Sequence, residues 1–456
     1  MRLSMLGSND ASRQPSRSRT LLALLPRWKF APDGASPVQR RNFLYVQIDG
    51  IGIGIASAAS AFLAVFLARL GATGLQISLL TSMPALIGIV FALPIGRFLQ
   101  GGRNIVRWYS AARFLVISAY ALTGLVPFVL PREVTIVAVL VVWASVTIPQ
   151  TTVNVAFSVV MSAVAGPDGR YFLMSRRWAV LGVTTAVMVA IVGKVLDSMA
   201  FPINYQVVFL CLSLGGLLSF LFSRRLIIPD TTPISRAGRS TPLHEIRWFA
   251  RLVRGQPEFL SFMAKRFVFT FGVALAAPLF PIYFVRVVGA SDTWIGTFNT
   301  VQTAVMTVGY FFWSAVSRRK GSRAAILATT LGLSLYPLCV AFTVRVEVIA
   351  LLAGCAGFFQ AGLDLVFFDE LMQRVPDEYA ATLVAMAQLF GYLSNIVAPP
   401  LGSFLADVMG LGAGLAVSAA LRLTGFGLFA LAGWRRSTAP AAEAGVRDTK
   451  KPRKTR

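Results

Sequence analysis

FLYVQIDGIGIGIASAASAFLAVFLA, residues 43–68, carries one charged side chain, Asp49, and is otherwise apolar, small or neutral. A helix rises about 1.5 Å per residue, so roughly 20 apolar residues cross the hydrocarbon of a bilayer. This stretch is long enough, and too long and too apolar for a typical core helix of a water-soluble domain. Eleven further stretches read the same way: 76–97, 107–129, 134–161, 178–200, 204–223, 260–285, 293–316, 323–343, 347–372, 380–407 and 411–433. The expected fold is an all-α membrane protein of twelve spans.

Composition agrees. Hydrophobic residues make up 56% of the chain and charged residues 14%, against about 25% charged in soluble domains; the mean hydropathy is +0.68. The net charge of +24 does not imply a nucleic-acid partner, because the basic residues sit in short loops and in the two tails rather than on one foldable face. Loops after even-numbered spans hold 18 Lys and Arg residues, among them Arg97, Arg103, Arg176, Arg177, Arg318 and Arg319. Loops after odd-numbered spans hold only Arg69, Arg132, Arg286 and Arg345. By the positive-inside rule the even loops and both tails are cytoplasmic, which points to a plasma (inner) membrane protein. Leu21–Leu25 is cut off by Pro26 and reads as too short for a cleavable signal core. Cys211, Cys339 and Cys355 lie in apolar runs without metal-ligand spacing, so they are expected to be small buried hydrophobes.

The organisation that follows is a basic tail (1–42), a six-span segment (43–223), a linker (224–259), a second six-span segment (260–433) and a basic tail (434–456). Within the linker, Thr241 and Pro242 suit a helix start. Ile246, Phe249 and Val253 then form an apolar stripe, as in a helix lying on the inner membrane surface. His244, the only histidine, reads as an exposed loop residue.

The two segments repeat one another. Gly71-Ala72-Thr73 with Ile77 recurs as Gly289-Ala290-Ser291 with Ile295, and Gly54 falls on Gly272. Gln150 and Asn154 in the fourth span recur as Gln360 and Asp364 in the tenth, with Phe157 and Phe367 following. Each polar pair is spaced by four and so shares a helix face. Duplicated membrane segments enclose a solute site near mid-bilayer.

Over residues 43–433 the chain resembles the major facilitator superfamily. That family has a signature Gly-x-Leu-Ala-Asp-Arg-x-Gly-Arg between spans two and three, with a weaker copy between eight and nine. Here the first begins at Gly96 and runs through Arg97, Gln100, Gly101, Gly102 and Arg103; the second runs from Ser314 through Arg318, Arg319, Lys320 and Gly321 to Arg323. Gln100 and Arg318 stand at the Asp position. Gly391, Ala398-Pro399-Pro400-Leu401-Gly402 and Asp407 resemble the family's eleventh span. The resemblance implies two pseudo-symmetric six-helix bundles, gating by Gly96, Arg103, Arg318, Arg319 and Gly321, and a small-molecule solute as partner. The Arg that many drug antiporters carry in span four, and their Gly-Pro motif in span five, are absent.

An ionisable group in hydrocarbon costs several kcal/mol unless it is paired or hydrated. Asp49 and Arg113 lie at similar depth and read equally as a structural ion pair or as part of a substrate or proton pathway. Asp364, beside Gln360, favours the pathway reading, with Gln150 and Asn154 opposite. Lys265 and Arg266 are expected to snorkel to the inner interface. Arg422 has no sequence-evident partner. Glu370 stands four residues before Arg374, as in a surface pair. Gly50, Gly54 and Ala58 read as a helix-packing face, while Pro278 and Pro281 would disturb the seventh span.

The leading function is secondary transport by alternating access, driven by a proton or solute gradient, without cofactor or metal and as a monomer. The chain holds no Gly-x4-Gly-Lys-Ser/Thr phosphate loop. An enzyme is not expected, since one histidine gives little to build acid–base or metal chemistry on. The alternative is a non-transporting receptor or assembly protein on a transporter scaffold.

Overall fold

The polar edges of the first apolar run fix where its helix begins and ends. In the computed structural model Ser36 caps helix α1 (Pro37–Leu70) by accepting a bond from the Gln39 amide, and the Gln39 side chain accepts one from the Ser36 amide in return. Pro37 fills the first turn, where no amide is needed. Gly71 closes the far end at φ 94°, a left-handed conformation open to glycine without strain, and Ala72 N then bonds back to Leu67 O. The 34 residues are about 51 Å long at the usual rise, so the helix overruns the hydrocarbon.

The structure describes residue 31 and residues 34–100, 104–228, 255–374 and 380–431. Among these, all regular structure is helical. After α1 come α2 (Gly74–Gln100), α3 (Ile105–Val129), α4 (Arg132–Asp197), α5 (Ile203–Ser223), α6 (Pro257–Ala276), α7 (Leu279–Arg286), α8 (Asp292–Ala341), α9 (Val346–Gln373), α10 (Ala380–Met409) and α11 (Leu411–Leu431). The tails, most of the linker with its expected surface helix, and residues 375–379 lie outside the described residues.

Among the described residues, eleven stretches are long and apolar enough to cross a membrane, α4 supplying two of them and α6 with α7 one. Two expected loops are instead carried inside long helical runs. In α4 the helical run is broken at Gly166 (φ 69°, ψ 179°), and in α8 at Gly321 (φ 81°, ψ 161°). Each glycine reverses direction at a positive φ that a side chain would resist, and helix resumes directly beyond it. The seventh span breaks as its prolines suggested, with α6 ending at Ala276 and Pro278 preceding α7.

In packing, α1, α3 and α5 gather with α4, while α11 lies on both α6 and α8, α10 packs on α6 and α11, and α9 lies along α8. The seams between residues 34–228 and 255–431 are α2 on α10, α4 on α8 and α1 on α7. One buried apolar cluster joins both segments, built around Phe62, Phe66, Tyr205, Phe209, Ile282 and Phe298. The cluster around Phe43, Tyr109 and Leu173 draws on the first segment alone, and that around Phe262, Trp313 and Phe367 on the second alone.

Small residues permit the closest approaches. A Cβ at Gly54 would stand 2.8 Å from the Thr184 Cβ, and one at Gly52 only 2.5 Å from the Gly215 carbonyl. The outer faces carry Phe311, Val183 and Leu214 at 79%, 67% and 64% exposure. So large an apolar surface would drive aggregation in water; lipid is its solvent. The three cysteines correct a sequence expectation for the same reason. All are exposed rather than buried, because an apolar run in a membrane protein turns much of its surface outward to lipid.

Candidate functional site

Asp49 sits on α1 at the centre of a buried polar cluster. Its Oδ1 accepts a 2.6 Å bond from the Ser219 hydroxyl of α5, and its Oδ2 lies 3.7 Å from Arg113 Nη2 of α3 and 3.5 Å from Arg177 Nη2 of α4. Arg113 also bonds the Tyr109 hydroxyl and the Ser219 hydroxyl, the latter at 3.4 Å. Arg177 lies over the Phe157 ring at 4.7 Å. Asp49 and Arg113 do meet. Arg177 was assigned to a loop from its place beside Arg176, yet it is buried, because α4 resumes just after Gly166 and turns it inward. Two guanidiniums therefore share one carboxylate in a low-dielectric place, where such charges must be paired to be tolerated. Arg113 Nε and Arg177 Nε have no hydrogen-bond partner.

Gln150 and Asn154 bond to each other at 2.9 Å along α4, and Gln360 bonds Asp364 at 2.7 Å along α9. Asn154 and Asp364 are both exposed. Asp364 gains a second donor, the Tyr310 hydroxyl of α8, at 3.1 Å. Arg266 of α6 lies over the ring of Phe367, three residues along α9 from Asp364, at 5.3 Å. No hydrogen bond between the α4 pair and the α9 pair is found among the described residues. Gln150 instead stands between two cavities. One, of about 180 Å³, is lined by Ser57, Arg113, Tyr120, Gln150 and Ser219 among others; the second, of about 330 Å³, lies between α1, α2 and α4 beside Thr81, Trp143 and Thr147.

Of the expected gating residues, Gly96 lies on α2, and Arg103 lies outside the described residues. Arg318 and Arg319 are exposed just before the Gly321 turn, and Ser322 beyond it bonds Asp369 of α9 at 2.9 Å. Glu370 pairs with Arg374 as expected from spacing, but it is 1% exposed rather than a surface group. Arg422 is buried, with its Nη1 on the Leu333 carbonyl at 3.1 Å.

Sequence reasoning missed a second constellation at the α1/α7/α8 end. Arg69 donates to Asp292 Oδ1 through Nε at 3.1 Å and Nη2 at 2.9 Å, and to the Ala290 carbonyl at 3.0 Å. The Tyr205 hydroxyl donates to the same Asp292 oxygen at 2.5 Å. Asp197, at the end of α4, accepts from the backbone N–H groups of Asp292 and Thr293 at 2.9 and 2.8 Å, so it caps the start of α8 from across the seam. Arg286 reaches the Ala72 carbonyl at 2.6 Å, and the Ser403 hydroxyl the Gly74 carbonyl at 2.8 Å. Among the described residues, the hydrogen bonds that join residues 34–228 to 255–431 gather at this end. The deepest, Thr300 Oγ1 to Ala186 O at 3.4 Å, lies about 12 Å along the helix from Asp292. The sequence signal available was the stretch from Gly193 to Asp197 at the end of the fifth span, which recurs as Gly402 to Asp407 in the eleventh.

The family model of the Major Facilitator Superfamily matches residues 262–456. Over that stretch, less than half of its length, the chain is similar to this superfamily. Among solved structures it is similar to a bacterial homologue of the human lysosomal transporter Spinster in an inward-facing, unoccupied conformation. The TM-score there is 0.65 at 14% identity, covering 87% of this chain and 97% of that one. It is similar also to the nucleoside transporter NupG, with TM-score 0.66 at 10% identity, covering 85% and 98%. A bacterial metal transporter gives TM-score 0.61 at 14% identity, covering 87% and 98%. No curated protein matches the chain in sequence.

Proposed function

We propose that the protein is a secondary active transporter of a small solute working by alternating access. The observation that carries this reading is the one-sided seam: Arg69, Tyr205 and Asp197 clasp Ala290, Asp292 and Thr293 at one end, and the described hydrogen bonds across the seam gather there. A carrier that exposes a site to one side at a time needs such a closure at the other. Counting the arms of α8 before and after Gly321 as separate spans gives twelve, in keeping with bundles of six over 43–223 and 260–433. The positive-inside count places the clasp on the outer face and both tails, with the 224–259 linker, in the cytoplasm, so the conformation is inward-facing. The Spinster homologue of similar fold is described in that state, which supports the reading.

Protein purified into sealed vesicles should accumulate its solute when a solute or pH gradient is imposed. A solute found by its stabilisation of the folded chain that binds yet never crosses, under any gradient, would favour the receptor reading instead. Orientation is checked by Arg239→Cys in a chain freed of Cys211, Cys339 and Cys355. The thiol should resist an impermeant reagent in intact cells, and ready labelling would reverse the topology.

A further inference from the structure

The cavity of about 180 Å³ enclosed by α1, α3, α4 and α5 is lined by Ser57, Arg113, Tyr120, Gln150 and Ser219 on its polar side and by aliphatic groups elsewhere. Among the described residues, no acidic side chain lines it. Its one charged wall is Arg113, which is 8% exposed and whose Nε has no hydrogen-bond partner. The carboxylate nearest to Arg113 among the described residues, Asp49, is shared with Arg177, so among those residues the cluster carries one positive charge more than it neutralises. A surplus buried charge is costly in a low-dielectric place unless a counter-charge arrives. The groups around the cavity are those that would receive an oxyanion: the Arg113 guanidinium, the hydroxyls of Ser57 and Tyr120 and the Gln150 amide, donors that suit carboxylate or phosphate oxygens; the Ser219 proton is already given to Asp49. The volume is well above what one water needs, and Gln150, standing between this cavity and the neighbouring one of about 330 Å³, gives the two a common polar wall.

We propose that this cavity is an anion subsite, and that the solute carries a carboxylate or a phosphate which Arg113 recognises with help from Ser57, Tyr120 and Gln150. The assignment rests on the transporter reading for its biological meaning, but binding tests it without any gradient. The surplus arginine charge selects an oxyanion over a neutral or cationic group at this place. Asp49 keeps Arg177 as its partner when Arg113 is replaced, so the cluster retains a balanced pair.

The experiment uses the full chain in detergent or lipid nanodiscs and follows thermal stabilisation and direct binding with acetate, succinate and inorganic phosphate, against acetamide as the neutral control. Wild type should be stabilised by at least one of the anions and not by acetamide. Arg113→Gln should weaken that binding at least tenfold, and Gln150→Leu, which touches no ion pair, should weaken it severalfold. Arg113→Lys, which keeps the charge without the planar fork, should bind at an intermediate strength. If Arg113→Gln does not fold, Gln150→Leu and Arg113→Lys decide the matter. Wild type ignoring all three anions, or anion binding that is the same in every variant, overturns the subsite; acetate and phosphate acting separately tell a carboxylate from a phosphate specificity. Anion binding without flux would sink the transporter reading and leave the subsite standing, whereas flux of a neutral solute without anion binding would do the reverse.

Discussion

The α4 pair and the α9 pair share one spacing in the sequence, and their surroundings differ. Gln150 bonds Asn154, and Gln150 also lines a cavity whose charge comes from Arg113. Gln360 bonds a carboxylate, Asp364, which also takes a bond from Tyr310. The first segment buries its carboxylate, Asp49, one helix away from the repeated pair, locked between two arginines and a serine. The second leaves its carboxylate exposed on the repeated face. A group held by several buried partners is suited to fixing structure, and one that is exposed and lightly held is suited to exchanging partners. The two pairs share a spacing, and their charges differ: on this reading the first serves structure and the second exchange.

The largest expected effect tests that division. Asp364→Asn should abolish transport driven by a pH gradient while the variant still inserts, folds and binds ligand, with a stability change within about 0.5 kcal/mol as for an exposed site. Asp49→Asn should do the opposite. It leaves Arg113 and Arg177 buried without their carboxylate, an arrangement that costs about 3–5 kcal/mol, seen as a large fall in thermal stability and yield. Thermal unfolding and vesicle uptake on the two variants settle the comparison. An Asp364→Asn protein that still accumulates solute against its gradient, or an Asp49→Asn protein as stable as wild type, would break it.

A middle-sized effect is expected where the two segments meet. Arg69, Asp292, Tyr205 and Asp197 act as one network, so Arg69→Ala and Asp292→Ala should be non-additive, with a coupling of about 0.5–3 kcal/mol. Either variant should also shift the protein toward outward opening, read as greater labelling of Gly296→Cys, which packs in the α4–α8 seam, by an impermeant thiol reagent. Independent, additive losses with unchanged labelling would mean that the contacts hold the helices together without gating them.

How much of this was legible follows from where the signals lie. The spans could be read because crossing lipid demands long apolar runs, and the cap and stop of α1 are local chemistry, Ser36 with Gln39 and then Gly71. The meeting of Asp49 with Arg113 was open to reading because a charge in hydrocarbon must find a partner. Arg177 was not legible. Arg176 and Arg177 fall between two apolar runs, as loop residues do, and the helix that resumes beyond Gly166 leaves Arg177 buried. The clasp was hidden for another reason: Arg69 and Asp292 are 223 residues apart and each sits at a span end, where a charge is cheap and calls for no partner. The cysteines misled because apolar was equated with buried, which holds when the solvent is water and fails when it is lipid.

The smallest effect concerns Tyr310, which has no counterpart against Asn154 among the described residues and so marks how far the two pairs differ. Its hydroxyl contributes one hydrogen bond to Asp364, at 3.1 Å, and Gln360 supplies the other at 2.7 Å. Removing one donor from a carboxylate that keeps its second donor and stays exposed should cost about 0.5–1.5 kcal/mol at most, because water can replace the lost bond. Tyr310→Phe preserves the ring, so packing against α9 is unchanged and any effect belongs to the hydroxyl. The expected outcome is a severalfold slower uptake with near-normal thermal stability, well short of the loss in Asp364→Asn. Combining Tyr310→Phe with Asp364→Asn should add nothing further to the transport defect if the hydroxyl acts only through that carboxylate. A double variant with a new loss of ligand binding would show that Tyr310 touches the solute itself, and the two pairs would then differ in a solute contact as well as in charge.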